Sequence, residues 1–289
     1  MAGHPNLVVT DDDGVQVITI DRPEAKNALD SAMRTTFIDL IADADVDPDV
    51  HAIVITATDP VFSAGVDFKE SMQPVSAEGA PTVRRRVDWA LRPDPAAALR
   101  ASVTPTICAV NGACVSGALE IALSCTFAIA SERARFADTH ARLNVVAGWG
   151  LSALLPRAVG LRKAREMSIT GNFVDAEEAL RIGLVNHVVP HDDLVTRAVA
   201  LARDVSPQPA VREVLRLYAR GEGLSLSEAL TMERDWTVHR THVPDAFRSL
   251  GQEAAKRGAT GGRPAPEQDE SAEKSRPTAS DESGQESAE

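Results

Sequence analysis

Apolar residues along this chain keep two different periods. From residue 7 to 20 they alternate, and the runs Leu7 to Thr10 and Val15 to Ile20 flank Asp13-Gly14. That pattern predicts two antiparallel strands joined by a two-residue turn. Ser31 to Ala44 switches to the helical period, with Met33, Phe37, Leu40 and Ile41 at core spacing. Ile53 to Thr56 is a β-branched run suited to a buried parallel strand, and Thr106 to Val110 reads as another buried strand. Leu119 to Ser124 continues as a helix, and Asp175-Ala176-Glu177-Glu178 looks like a capping box for a helix ending near Gly183. Val185 to Val189 reads as a strand, followed by amphipathic helices over Val195 to Val205 and Ala210 to Tyr218 and a last helical stretch from Leu224. Thr82 to Arg100 has its helical pattern interrupted by Pro93 and Pro95, as expected of a wall or lid over a ligand. No internal repeat is legible.

Two places combine a buried strand with small residues and glycine. After Thr106 to Val110 comes Asn111-Gly112-Ala113-Cys114-Val115-Ser116-Gly117-Ala118-Leu119-Glu120. A helix starting near Gly117 directs unpaired backbone N–H groups, and the positive end of its dipole, at whatever lies before it. Glu120, three residues on, projects from the same face one turn in. After Ile53 to Thr56 comes Asp59-Pro60-Val61-Phe62-Ser63-Ala64-Gly65-Val66-Asp67-Phe68-Lys69, where Val66 is placed to offer a second N–H. Two donors on one carbonyl oxygen, beside a carboxylate, form a device for carbonyl chemistry.

These segments, together with Ile18-Thr19-Ile20-Asp21-Arg22-Pro23-Glu24-Ala25-Lys26-Asn27-Ala28-Leu29, resemble the crotonase superfamily, the enoyl-CoA hydratase/isomerase family, over roughly residues 5 to 257. Weaker matches follow at Phe136-Ala137-Asp138, Gly148 to Gly160 and Leu180 to Val185. The resemblance implies an α/β fold, a ClpP/crotonase-like spiral of ββα units in two sheets. The implied division is a spiral core over 1–195, a C-terminal helical trimerisation region over 196–257, and a disordered acidic tail over 258–289. It also implies a coenzyme A thioester held by the N–H groups of Val66 and Gly117. Contacts to coenzyme A or the acyl group are implied for Lys26, Ala28, Ala64, Asp67, Phe68, Lys69, Gly112 and Trp149. Lys26 and Lys69 fall where the family keeps basic residues near the adenosine and phosphates.

Glu120 stands at the family's first catalytic glutamate, whereas the second position is His140. An imidazole carries a proton near neutral pH, with a different charge and reach from a carboxylate. Three function classes stay open. The first is an enoyl-CoA enzyme, foremost a hydratase and next a delta-isomerase with Glu120 as main proton carrier. The second is a hydrolase in which Ser116 and His140 are separated like the nucleophile and base of the related Clp-type peptidases, with Asp138 or another acid completing a triad. The third is a catalytically silent acyl-CoA binder.

Composition narrows the partners. The 289 residues carry 42 Asp and Glu against 30 Lys and Arg, a net charge of −12 that argues against nucleic acid. No apolar run approaches the roughly 18 residues of a membrane span. Cys108, Cys114 and Cys125 lack metal-type spacing and are expected to be reduced thiols in a cytoplasmic enzyme. No metal or redox cofactor is expected, because coenzyme A arrives as part of the substrate. The family resemblance implies a homotrimer or a dimer of trimers. The tail is too poor in apolar residues to fold.

Overall fold

The computed structural model describes residues 3–67, 69 and 93–240. The chain falls into two compact units, residues 1–232 and 233–289. The second is described only to Arg240, as the end of a helix. Phe68, most of the Thr82–Arg100 segment and the acidic tail lie outside the described residues.

The strands are β1 (Leu7–Asp12), β2 (Val15–Ile20), β3 (Ala52–Ala57), β4 (Val61–Ser63), β5 (Thr106–Val110), β6 (Ala113–Val115), β7 (Phe127–Ser131), β8 (Arg135–Ala137), β9 (Val174–Asp175) and β10 (His187–Val189). The helices are α1 (Ser31–Val46), α2 (Pro95–Ala101), α3 (Gly117–Ser124), α4 (Leu151–Val159), α5 (Leu161–Thr170), α6 (Ala176–Arg181), α7 (Leu194–Arg203), α8 (Pro209–Gly221) and α9 (Leu226–Arg240). One sheet runs β1-β2-β3-β5-β7-β10 and the other β4-β6-β8-β9. The hairpin forms as expected, with both turn residues, Asp13 and Gly14, at positive φ. From β3 onward the chain visits the large sheet and then the small one three times over, as β3–β4, β5–β6 and β7–β8. This is a spiral of strand pairs with interposed helices.

The unbroken apolar runs have a physical cause in this layering. Ile18, Ile20, Ile53, Ile55, Cys108 and Val110 face a core shared with Phe37, Phe62 and Phe136. Their neighbours Val15, Val17, Ala52, Val54, Ile107 and Ala109 face Leu194, Ala198, Val199 and Ala202 of α7. A sheet covered on both faces needs apolar residues at every position. Helix α7 thus packs within the first unit, beyond residue 195, where the sequence reading ended the spiral core.

Several elements differ from expectation for local reasons. Helix α1 runs on to Val46 because Asp45 accepts hydrogen bonds from Ser102, Val103 and Thr104. Pro95 opens α2 rather than interrupting a helix, and the Asp94 side chain caps it by accepting from Ala97 N–H. Asp175 caps α6 at the Glu178 N–H, but the Glu178 carboxylate turns to Arg181 and Lys163, so only half of the capping box forms. β10 begins at His187, not Val185, because the Leu184 and Val185 N–H groups close α6 onto the Ala179 carbonyl. Among the described residues, no helix is long and apolar enough to cross a membrane.

Asn27 ties the end of β2 to the start of β4. It is fully buried at positive φ, a conformation that Asn tolerates. Its Oδ1 accepts from Arg22 N–H at 2.8 Å, and its Nδ2 donates to the carbonyls of Thr58 (2.7 Å) and Val61 (2.8 Å). Its own carbonyl accepts from the Ser63 hydroxyl at 2.7 Å. Asn27→Ala removes the partner of three partly buried backbone groups. Each such group costs up to about 1–3 kcal/mol when water cannot replace the bond, so the expected loss is about 2–3 kcal/mol in urea unfolding. A loss under about 1 kcal/mol would mean that water reaches those groups.

Candidate active site

Val66 reaches the site through a bridge to Leu29. Leu29 N–H donates to Gly65 C=O at 2.8 Å, and Asp67 N–H donates to Leu29 C=O at 3.0 Å. In a parallel bridge these bonds belong to the neighbours of Val66, so its own N–H points away from Leu29. The Val66 nitrogen lies beside Gly117. A Cβ built on Gly117 would lie 3.4 Å from Val66 N and 3.1 Å from the Trp149 indole. The N–H groups of Val66 and Gly117 have no acceptor among the described residues. Gly65 packs its backbone on this spot, at φ +89, with its Cβ position 2.9 Å from Gly117 N and 3.0 Å from Val115 C=O.

Ser116 aims the Gly117 N–H. It sits at φ 51 and ψ −108, a conformation that costs a residue with a side chain about 1–3 kcal/mol. Its hydroxyl accepts from Thr139 N–H at 3.0 Å and lies 2.8 Å from Thr139 Oγ1, while its N–H donates to Ala137 C=O.

Glu120 lies one turn into α3 and is 2 % exposed. Its Oε1 accepts from the backbone N–H of Trp149 (2.7 Å) and Leu151 (3.1 Å). Arg100 holds that loop from α2, donating to Trp149 C=O at 2.6 Å and to Ser124 Oγ at 3.1 Å. Burial pushes the Glu120 carboxyl above its usual range, and nearby Asp94 adds to the rise. The N–H groups of Leu151 and Trp149 and the His140 ring oppose it without cancelling it. The other oxygen, Oε2, is 3.8 Å from His140 Nε2. His140 Nδ1 is 2.7 Å from Asp138 Oδ1. Burial raises the Asp138 carboxyl, but hydrogen bonds from His140 and Ser168 outweigh it, so the group titrates below its usual range.

The structure therefore gathers Val66, Gly117, Glu120, His140 and Trp149 around one spot. The arrangement offers paired donors for one oxygen and two proton-carrying groups beside it. It does not build the peptidase-like triad, because the Ser116 hydroxyl is engaged by Thr139 while His140 faces Glu120. A Ser–His–Asp line does occur elsewhere, through Ser131, His191 and Asp59, but Ser131 is fully buried.

Other expected contact residues have structural partners. Gly112 is a packing glycine, since a Cβ there would lie 2.5 Å from the Pro60 carbonyl oxygen. Asp67 pairs with Arg22 at 2.8 Å and accepts from Lys69 N–H. Ala28 is buried, with its carbonyl bonded to Arg22. Ala64 N–H donates to Lys26 C=O, and the side chains of Lys26 and Lys69 are exposed. Sequence reading missed Asn27, Arg22 and Arg100 as organisers of the site. Only the Asp-Arg-Pro and Asn pattern of the first motif hinted at two of them.

The enoyl-CoA hydratase/isomerase family model matches residues 10–257. The protein named "Probable enoyl-CoA hydratase echA8" in Mycobacterium tuberculosis is 39% identical over 233 residues, covering 80% of this chain and 88% of that protein. The short-chain-enoyl-CoA hydratase of Clostridium acetobutylicum is 34% identical over 239 residues, covering 80% and 87%. The crystal structure of an enoyl-CoA hydratase from Mycobacterium tuberculosis superposes with a TM-score of 0.66 at 38% identity, covering 81% of this chain and 99% of that one. The fold is that of the crotonases, and the chain belongs to the enoyl-CoA hydratase/isomerase family.

Two substitutions separate the hole from its support. Gly117 is not at positive φ, so Gly117→Ala is conformationally allowed, and its methyl fills the space in front of Val66 N–H. It is expected to cut turnover by about 10²-fold or more, with a smaller loss of stability than Gly65→Ala because its tight contact, 3.1 Å, is with the Trp149 side chain rather than backbone. Gly65→Ala, at positive φ and against Gly117 N, is expected to destabilise by at least about 1–3 kcal/mol in denaturant unfolding. Equal effects of the two on stability would contradict this division.

Glu120→Gln keeps the acceptor oxygen and removes the charge. With its pKa raised by folding, the wild-type carboxyl contributes fully below the ordinary carboxylate range and loses that contribution as pH rises through the raised value. The variant is spared that loss. Its melting temperature, relative to wild type, should therefore climb as pH rises from the ordinary carboxylate range toward neutrality. A difference flat with pH would contradict the burial effect.

Proposed function

We propose that this protein hydrates 2-enoyl-CoA thioesters. The observation that carries this reading is the pair of N–H groups, Val66 and Gly117, facing one spot with buried Glu120 turned toward His140. The thioester oxygen accepts from both N–H groups, which draws electrons from the conjugated double bond and favours an enolate. Each donor is worth about 3–4 kcal/mol to the transition state by analogy with oxyanion holes. A separation of 3.8 Å between Glu120 Oε2 and His140 Nε2 is too long for a direct hydrogen bond but suits two groups touching one water. That water adds to Cβ, and a proton reaches Cα. Migration of a double bond needs one proton carrier, so His140 opposite Glu120 favours hydration over isomerisation. The exposed Lys26 and Lys69 flank the Val66 loop and suit the phosphates of coenzyme A. The names of the relatives point the same way.

A homotrimer or dimer of trimers belongs to the same proposal. The uncovered apolar side chains Val214 and Tyr218 of α8, a helix with no buried residue, are the surface such an assembly would cover.

The test is turnover of a panel of trans-2- and 3-enoyl-CoA thioesters by the purified protein. Loss of the enone absorbance with a 3-hydroxyacyl-CoA product supports hydration, and Glu120→Gln should lower kcat by about 10²- to 10⁴-fold. A 2-enoyl product from a 3-enoyl substrate, with no hydration, would make the protein an isomerase. Binding without turnover would make it an acyl-CoA binder.

A further inference from the structure

The proposed hydration leaves one buried ionisable group of the site without a task. Asp138 follows β8 directly and is 3 % exposed. Its Oδ1 accepts twice from the same residue, from His140 backbone N–H at 3.1 Å and at ring Nδ1 at 2.7 Å. The main-chain bond pins the carboxylate to the turn that carries His140, and the side-chain bond pins the ring. An ionised carboxylate only accepts hydrogen bonds, so the proton between them belongs to Nδ1. In a neutral ring that leaves a lone pair on Nε2, the nitrogen that faces Glu120 Oε2.

We propose that Asp138 is a positioning residue: it holds His140 as the Nδ1–H tautomer, so that Nε2 serves as the base that takes a proton from the attacking water. This rests on the hydratase reading above and deepens it. One O–H bond of water breaks, its proton goes to Nε2, and its oxygen bonds to Cβ. The double-bond electrons move to the thioester oxygen held by Val66 and Gly117. The protonated Glu120 carboxyl gives its proton to Cα as the enolate collapses. The imidazolium, stabilised by the negative Asp138, then returns a proton to Glu120, and the sum is addition of one water. The Glu–Glu pair implied by the family resemblance is thus replaced by a glutamic acid facing a histidine whose orientation depends on a third residue. The spacing Asp138-Thr139-His140 builds that support within one turn.

The test joins ring spectroscopy to kinetics, on the full chain. Nitrogen-15 NMR of histidine-labelled protein at neutral pH reports which ring nitrogen carries the proton, with the His140 signal identified by its loss in His140→Gln. Nδ1 is expected protonated and Nε2 bare in the wild type, shifting toward Nε2–H in Asp138→Ala. Asp138→Asn keeps the shape, removes the charge and can offer an N–H to Nδ1. It is expected to lower kcat by about 10²-fold or more while KM changes by less than about threefold. Asp138→Glu should recover part of the loss. A proton on Nε2 in the wild type, or a tautomer indifferent to Asp138→Ala, would overturn the proposal. So would a fall in kcat in Asp138→Asn that follows melting temperature alone. If the wild type hydrates no enoyl-CoA, the hydratase reading fails by itself, and the NMR result still decides whether Asp138 sets the ring.

Discussion

The close approach of two backbones, Gly65–Val66 and Gly117, is the constraint on which the rest of the site depends. An oxygen can be held by two main-chain N–H groups only if no side chain stands between them. A methyl on Gly117 would fall within 3.4 Å of Val66 N, and one on Gly65 would press on Gly117 N itself. Everything around this point keeps the two strands of chain in place. The Leu29 bridge turns Val66 outward, the Asn27 carboxamide secures the loop from which Leu29 comes, and the Ser116–Thr139 contact turns Gly117 inward.

A second layer serves the carboxylate. Glu120 is removed from water by its own helix and the core, which raises its proton affinity, and two backbone N–H groups keep one oxygen from moving. The loop that supplies them is itself anchored by Arg100 from a helix distant in sequence. Trp149 joins both layers, since its N–H holds Glu120 while its indole lies against Gly117. The Glu120 carboxylate and the Val66–Gly117 approach are therefore mechanically linked, and a change at residue 149 would disturb both.

Much of this was legible because local patterns carry local physics. Alternation flanking Asp13-Gly14 became a hairpin, the helical period of Met33, Phe37, Leu40 and Ile41 became the inward face of α1, and the glycines after β4 and β6 became a close approach of two backbones. What the sequence did not reveal depended on distant partners. A Cβ on Gly112 would meet Pro60, and Asp67 pairs with Arg22. The strand expected from Val185 starts two residues later because α6 captures the intervening N–H groups. The repeat of strand pairs was invisible along the chain, since each turn of the spiral satisfies different neighbours with different residues.

By itself, the sequence determined the elements, the family and the candidate groups of the site: two glycine-bearing turns, Glu120, and a histidine where a second glutamate was expected. These follow from period, composition and motif, which act over a few residues. Only the tertiary structure decided that Val66 N comes beside Gly117, that Ser116 is spent on Thr139, and that Asp138 bonds the ring facing Glu120. Hydrogen-bond direction and burial depend on which groups the folded chain brings within about 3 Å of one another, and spacing along the chain does not specify that.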